Sequence, residues 1–314
     1  MADYAFGIDV GGTTVKCGLF STKGELLDSW EIPTRKEDGG KYILGDIADA
    51  IRKKCTEKEL KKEDVLGVGI GVPGPVLEDG IVNNCVNLGW GVVDVKENLS
   101  KLLDDIPVEV GNDANVAALG EQWKGGGRGY KNVVLVTLGT GVGGGIIING
   151  KIIPGSHGAG GEIGHIQVEK NETIPCNCGK KGCLEQYASA TGVVRMAKRY
   201  LAKTKKATVL RDDETLSAKS IFDAAKANDA AAMEVVEQFG ERLGTALAAI
   251  NCVVDPEVVV IGGGVSKAGQ IILDVVQKYY IPAAFNACRN CLFKLAELGN
   301  EAGMYGAVRM VLTK

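Results

Sequence analysis

The sequence predicts an α/β protein built as two domains. Its 314 residues exceed what one ordinary core organises, so two cores are the better expectation. Segments of strand character alternate with segments of helical spacing along most of the chain. Glycine-rich turns follow several of the strands. Glycine makes up 44 residues, about twice the usual share of ~7%. These glycines cluster beside hydrophobic runs, which suits backbone packed against ligands rather than a disordered chain.

Composition narrows the class further. A hydrophobic content of 45% and a charged content of 24% are those of a soluble globular protein. The net charge of -3 argues against a nucleic-acid surface. No apolar run approaches the ~18 residues that span a bilayer, so neither nucleic acid nor membrane is an expected partner. The nine cysteines are odd in number, mostly scattered in apolar contexts such as Cys17 and Cys252, and preceded by no secretory signal. A reduced, cytoplasmic protein is expected, in which the sequons at Asn98 and Asn171 carry nothing.

Taken in order, Tyr4 to Val10 is a β-run with Asp9 near its end. The turn Gly11-Gly12-Thr13-Thr14 follows, then the run Val15 to Phe20, the turn Lys23-Gly24 and a third strand, a meander of hairpins. The Gly-Gly-Thr-Thr turn offers consecutive backbone N–H groups and two hydroxyls, an anion nest, although a plain hairpin turn also uses Gly-Gly. Lys41 to Cys55 has helical spacing. Val65 to Val72 is apolar throughout and interleaved with glycine, which suits a strand buried on both faces, and Pro73-Gly74-Pro75 ends it. Asn83 to Trp90 reads as polar and irregular. Val95 to Leu103 reads as helix and Val108 to Val110 as strand.

Gly111-Asn112-Asp113-Ala114-Asn115 then opens a helix over Ala114 to Trp123, with Asn or Asp in the position of an ordinary N-cap. Gly125 to Gly129 reads as a flexible surface loop. The strand Asn132 to Leu138 leads into Gly139-Thr140-Gly141-Val142-Gly143-Gly144. This matches the dinucleotide fingerprint G-x-G-x-x-G, but the fingerprint requires a helix next, and Ile146 to Gly150 is a strand and turn. The repetition of the Gly11–Thr14 arrangement is the informative feature, and no Walker-type G-x4-G-K-[ST] is present. Helices are expected at Ser189–Lys203, Ser217–Ala227 and from Asp229 to about Cys252. In the last of these Val235, Val236, Phe239, Leu243 and Leu247 make an apolar stripe suited to the core. Pro256 to Ile261 is a buried strand, and Gly262-Gly263-Gly264 precedes another helix. Leu292 to Leu298 is a last strand and Ala302 to Leu312 a terminal helix.

The densest chemistry lies between Glu162 and Glu185. Glu162-Ile163-Gly164-His165 is followed, after ten residues, by Cys176-Asn177-Cys178-Gly179-Lys180-Lys181-Gly182-Cys183-Leu184-Glu185. Three thiols and one of only two histidines in the chain complete a Cys3His shell, the ligand set of structural zinc. Gly179 and Gly182 allow the tight turns that aim the sulfurs at one point. The C-x-C-x4-C spacing is not the common C-x2-C knuckle, so a chance cluster of reduced cysteines is the competing reading. Glu162 and Glu185 bracket the cluster, so a metal there fixes two carboxylates relative to each other. His157 has no such partners and reads as structural.

Together these motifs resemble the actin-like ATPase (ribonuclease H-like) fold of sugar kinases, and within it the repressor, open reading frame and kinase (ROK) family. The resemblance rests on Asp9 to Lys16, Gly111 to Asn115, Gly139 to Gly144, Glu162-x-x-His165 and the Cys176–Glu185 block. They occur in the family's order and spacing over nearly the whole chain. It implies two domains closing over a cleft: residues 1–111 with a returning helix at 301–314 as the smaller, and residues 112–300 as the larger, carrying the zinc loop and sugar site. It further implies a homodimer or homotetramer, and ATP-dependent phosphorylation of glucose at the 6-hydroxyl.

The site roles follow from the resemblance and from what phosphoryl transfer asks of a protein, positioning and charge stabilisation. Gly11, Gly12, Thr13 and Thr14 with Gly139, Thr140 and Gly141 are expected to cradle the phosphates of ATP. Asp9 is expected near Mg2+, and Gly262, Gly263 and Gly264 against the adenosine. A sugar hydroxyl needs a base, and Asp113 is expected in that role, with Asn112 orienting the sugar and Glu162, His165 and Glu185 matching the family's sugar ligands. Zn2+ is expected on His165, Cys176, Cys178 and Cys183. The alternatives are a ROK kinase for N-acetylmannosamine, N-acetylglucosamine or fructose, a family member using polyphosphate, and a non-catalytic sugar sensor, which an intact Asp113 disfavours. A repressor of the family needs a DNA-binding module ahead of the first strand, for which the sequence leaves no room.

Overall fold

Alternation along the first strand decides how the first part of the molecule is layered. In β1 (Tyr4–Val10), Phe6, Ile8 and Val10 enter one core, whereas Ala5, Gly7 and Asp9 turn to the opposite face, as the two-residue period of a strand requires. The computed structural model describes residues 2–314. They fall into two units: the chain up to Lys131 with Gly145–Gly161 and Leu298–Lys314, and Asn132–Gly144 with Glu162–Glu297.

In the first unit β2 (Thr14–Ser21) and β3 (Leu26–Pro33) return as antiparallel neighbours of β1. A single turn, α1 (Glu37–Gly40), leads into α2 (Ile43–Glu57). β4 (Val65–Val72) then runs parallel to β1. β5 (Ile81–Cys85) and β6 (Trp90–Asp94) pair as a separate hairpin. After α3 (Val95–Leu102) the strand β7 (Val108–Asn112) lies parallel to β4, giving the order β3-β2-β1-β4-β7. α4 (Asp113–Lys124) follows it directly.

The second unit starts with β8 (Val133–Leu138), and β9 (Val142–Ile148) turns back from it. β9 runs on into the first unit at Gly145 and there meets β10 (Lys151–Ile152) through an Asn149-Gly150 turn with both φ angles positive, the pattern of a tight hairpin. The second unit resumes with α5 (Glu185–Ala188), α6 (Ala190–Lys203), α7 (Ala218–Lys226) and α8 (Ala230–Val254). Next come β11 (Val258–Gly262), α9 (Gln270–Ala283) and β12 (Leu292–Leu295). β8, β11 and β12 are mutually parallel, with β11 in the middle and buried at all five residues. The chain ends in the first unit with α10 (Ala302–Leu312).

Packing explains the glycine-interleaved strand. Val68, Ile70 and Val72 of β4 enter the core formed with Ile43, Ile47 and Leu99 of α2 and α3. Gly67 and Gly69 face α10 instead, where a Cβ on Gly69 would stand 1.9 Å from the Ala307 carbonyl oxygen. The alternating glycines let a helix lie directly on the sheet. α8 buries Val235, Val236, Phe239, Leu243 and Leu247 completely, so its apolar stripe is core. Among the described residues no helix is long and apolar enough to cross a membrane.

Several elements depart from the sequence reading. Asn83 to Trp90 belongs to the β5–β6 hairpin rather than to an irregular stretch, because Val82, Cys85, Leu88 and Trp90 are buried. Gly125–Gly127 is not a flexible surface loop. These residues are buried, with the Gly126 N–H held at 2.8 Å by the Glu121 carboxylate. The last strand stops at Leu295, and a 3₁₀ turn over Val265–Ala268 intervenes between the triple glycine and α9. His157 is exposed on the loop after β10. The boundary expected at residues 111 and 112 falls ahead of α4, which packs in the first unit against α10, where the Gly306 position meets the Val116 carbonyl.

Candidate functional site

In the first unit the expected groups gather at the carboxyl ends of three parallel strands. The register pairs Asp9 with Gly71 and Val72 with Asn112, so β1, β4 and β7 end side by side. Such edges are where open α/β sheets take ligands. The Gly11–Thr14 turn is closed by Gly11 N–H donating to the Thr14 carbonyl at 3.0 Å. The Thr34 hydroxyl donates to the Gly11 carbonyl at 2.8 Å, and Gly12 and Thr13 stay exposed at the tip. The Asp9 carboxylate faces Gly303 at the start of α10. Burial raises its pKa, and Lys16 beside it on β2 opposes the shift only in part.

Asn112, not Asp113, caps α4. Its Oδ1 accepts from the N–H groups of Ala114 and Asn115 at 3.1 Å, and its Nδ2 donates to the Gly74 carbonyl at 3.0 Å. Asp113 is the first residue inside the helix, and its Oδ1 accepts from the Ala114 N–H at 2.8 Å. Asp113 is therefore not the N-cap, although its carboxylate stands in the first turn, where negative charge suits the helix dipole.

In the second unit two of the three glycine turns stand next to each other. Gly262 is in register with Thr137, so Gly262–Gly264 and Gly139–Gly141 both emerge from the carboxyl ends of adjacent parallel strands. Gly139 N–H donates to the Gly141 carbonyl, closing the β8–β9 turn. The start of α6 holds that turn from outside. Ala190 N–H donates to the Gly139 carbonyl and the Thr191 hydroxyl to the Thr140 carbonyl, at 2.8 and 2.9 Å.

The acid, histidine and cysteine residues collect around the same turn. Gly164 sits so close to β9 that a Cβ would lie 2.1 Å from the Val142 carbonyl oxygen, which seats the Glu162–His165 turn just past Gly141. Glu185 reaches Gly141 from the other side, its Oε2 lying 2.8 Å from where a Cβ would be. His165 presents Nε2 to Glu162 at 3.7 Å, and its Nδ1 lies 3.8 Å from both the Glu185 carboxylate and the Cys176 sulfur. A cavity of about 260 Å³ is lined by Thr140, Gly141, Cys176, Glu185, Thr191 and Arg195 among others.

The ligand atoms of His165, Cys176, Cys178 and Cys183 all lie within 4.8 Å of one another. Cys178 Sγ is 3.4 Å from Cys176 Sγ and 3.6 Å from Cys183 Sγ. A tetrahedral zinc with Zn–S bonds near 2.3 Å spaces its sulfurs by about 3.8 Å, so the donor set fits that ion with small adjustments. Cys176 also donates its thiol hydrogen to Glu185 Oε1 at 2.8 Å.

A second ring of residues, invisible in the sequence, fixes this cluster. Gln186 Oε1 accepts from the N–H groups of Gly182 and Cys183, and its Nε2 donates to the Ile174 carbonyl. Glu172, in the segment between His165 and Cys176, is buried and takes both guanidinium nitrogens of Arg199, at 2.8 and 2.9 Å. It also accepts from the Tyr187 hydroxyl at 2.6 Å and from the Thr173 and Ile174 N–H groups. The Arg199 pair, followed by Tyr187, holds its carboxyl well below the usual range, against the effect of burial. The stretch Lys170-Asn171-Glu172-Thr173 is polar and aperiodic, so only the folded chain reveals it.

Comparison with known proteins agrees with this arrangement. The model of the ROK family matches residues 5–314. The glucokinase of Halalkalibacterium halodurans is 46% identical over 305 residues, covering 96% of this chain and 92% of that protein. The glucokinase of Thermotoga maritima is 36% identical over 314 residues, covering 97% and 96%. A ROK family glucokinase from Streptomyces griseus, solved in complex with glucose and AMPPNP, superposes with a TM-score of 0.77 at 32% identity over 99% of this chain and all of that one.

Proposed function

The chain belongs to the ROK family, and on that premise we propose that it transfers the γ-phosphoryl group of ATP to the 6-hydroxyl of glucose, giving glucose 6-phosphate and ADP. The observation that carries this reading is the grouping of Glu162, His165 and Glu185 around the Thr140–Gly141 turn. Carboxylates accept from the hydroxyls of a polyol, which are donors costly to leave unpaired, and a glycine–threonine turn offers N–H and hydroxyl groups to phosphate. The relatives named as glucokinases, one of them solved with glucose bound, support glucose as the sugar.

Asp113 removes the proton of the attacking hydroxyl as that oxygen reaches the γ-phosphorus, and the β–γ bridging oxygen leaves with ADP. Asn112 supports this group by taking over the helix cap and keeps a second amide N–H for the sugar. Glu162, His165 and Glu185 hold the ring. Gly11–Thr14 and Gly139–Gly141 would receive the phosphates, Gly262–Gly264 would take the adenosine against bare backbone, and Asp9 would hold the Mg2+ that accompanies ATP, which would neutralise phosphate charge. His165, Cys176, Cys178 and Cys183 would hold Zn2+. Bound there, the ion would supply a fixed frame for the loop rather than a reacting group. With the Cys176 sulfur ligating metal instead of carrying hydrogen, Glu185 Oε1 becomes an acceptor for a sugar hydroxyl.

The test is ATP consumption across glucose, fructose, N-acetylglucosamine and N-acetylmannosamine, with and without EDTA. The highest kcat/KM is expected with glucose, and none of the activity should survive excess chelator. Preference for an N-acetylated sugar, or full turnover in EDTA, would overturn the substrate or the Mg2+ assignment respectively.

A further inference from the structure

We propose that Glu172 is a positioning residue that sets the distance between Glu185 and His165; the inference rests on the reading of those two side chains as sugar ligands. Three chain segments meet at its carboxylate. Its own segment runs from His165 to Cys176 and is tied to it through the Thr173 and Ile174 N–H groups at 2.9 and 3.0 Å. α5 joins through the Tyr187 hydroxyl at 2.6 Å, and Tyr187 lies two residues beyond Glu185. α6 joins through the Arg199 fork at 2.8 and 2.9 Å, with Arg195 at 3.6 Å.

Both carboxylate oxygens are therefore committed, and the side chain is 1% exposed. Buried groups satisfied this fully specify one arrangement of the segments that supply their partners. The geometry acts on the site because α5 is only a turn long. Glu185 opens it, Gln186 binds the cysteine loop, and Tyr187 binds Glu172. Rotation of that turn would carry Glu185 away from Gly141 and His165. A zinc ion on His165 and Cys183 would restrain the near side of Glu185, two residues after Cys183, whereas Glu172 holds the far side through Tyr187.

The experiment compares wild type with Glu172→Gln and Tyr187→Phe. An amide at 172 presents N–H where the guanidinium and phenol already donate, whereas the phenylalanine variant removes one hydrogen bond and keeps the ring, so it retains the fold. Steady-state KM and kcat are measured for the preferred hexose of the panel and for ATP, with amide hydrogen exchange followed at Thr173, Ile174, Gly182 and Cys183. A charge-assisted buried hydrogen bond corresponds to roughly 10–100-fold in an equilibrium. Glu172→Gln should raise the sugar KM by about 10-fold or more with the ATP KM within about 2-fold, and Tyr187→Phe should move it the same way by less. Exchange at the four amides should quicken. An unchanged sugar KM in folded variants, or equal rises in both KM values, would overturn the inference. If no hexose is turned over, the functional reading fails, and the exchange rates alone decide whether the clamp exists: unchanged protection refutes it.

Discussion

The two units set out their chemistry by different means. In the first, Asp9, the Gly11–Thr14 turn, Asn112 and Asp113 are placed by main-chain register at the ends of parallel strands. Few side-chain bonds are needed. In the second, Glu162, His165 and Glu185 sit on turns that have no long element beneath them. They are held by Gln186, Glu172, Tyr187, Arg199 and the Cys3His cluster. A sheet edge can carry a reacting group because hydrogen-bonded backbone already fixes it. A loop must import rigidity from buried polar networks or metal. Substitutions in the first unit should therefore act on chemistry, and those in the second on sugar affinity and local stability.

The largest effect is expected at Asp113. Asp113→Asn keeps the shape and the oxygen that accepts from the Ala114 N–H, and the cap is untouched because Asn112 supplies it. A positioned base contributes about 10²–10⁴-fold, so kcat should fall by at least about 100-fold while Tm and glucose affinity change little. Measured turnover near that of wild type would remove the base from the mechanism and weaken the contrast between the units.

The same contrast explains what could be read from the sequence. Strand–glycine–strand and strand–glycine–helix patterns announce backbone-built turns, so Gly11–Thr14, Gly139–Gly141 and Gly262–Gly264 were visible as candidates, and the Cys176–Cys183 spacing was visible because thiols are rare and clustered. That Asn112 rather than Asp113 caps α4 was not, since both residue types cap well. Glu172 and Arg199 are 27 residues apart with no shared periodicity, and only tertiary packing pairs them. Likewise Gly125–Gly127 has the composition of a mobile loop, yet it is buried, with the Gly126 N–H held by the Glu121 carboxylate of the preceding helix. Local patterns reveal backbone geometry; they do not reveal which distant side chain satisfies a buried group.

A smaller effect on rate, and a larger one on stability, is expected at the cysteine cluster. Cys178→Ser removes one of four donors that stand within 4.8 Å. Metal bound only by the folded chain adds its binding free energy to stability. Wild type should contain one zinc per chain by elemental analysis, the variant much less, and Tm should fall by roughly 5–10 °C if several kcal/mol are lost. The sugar KM should rise more than the ATP KM. Metal-free wild-type protein with unchanged stability would leave the second unit held by its hydrogen-bond network alone.

The finest distinction between the units is the sign of their acid response. Glu172 has a folded pKa below its unfolded value, chiefly through Arg199. It contributes stability above the unfolded pKa of about 4.3, and that contribution drains away as pH falls toward the folded value. Asp9 has a folded pKa above its unfolded value, because burial outweighs Lys16. Its contribution is present below about 3.9 and is lost as pH rises through the folded pKa. Melting temperatures of wild type, Glu172→Gln and Asp9→Asn between pH 7 and pH 3.5 separate the two. The advantage of wild type over Glu172→Gln should be widest near neutrality and shrink by a few degrees below about pH 4.3. Asp9→Asn should instead match or exceed wild type at pH 7 and lose that advantage on acidification. A Glu172→Gln gap that stays constant to pH 3.5 would mean that Arg199 does not stabilise an ionised Glu172 in the fold, and the buried clamp would then have to be explained by shape rather than charge.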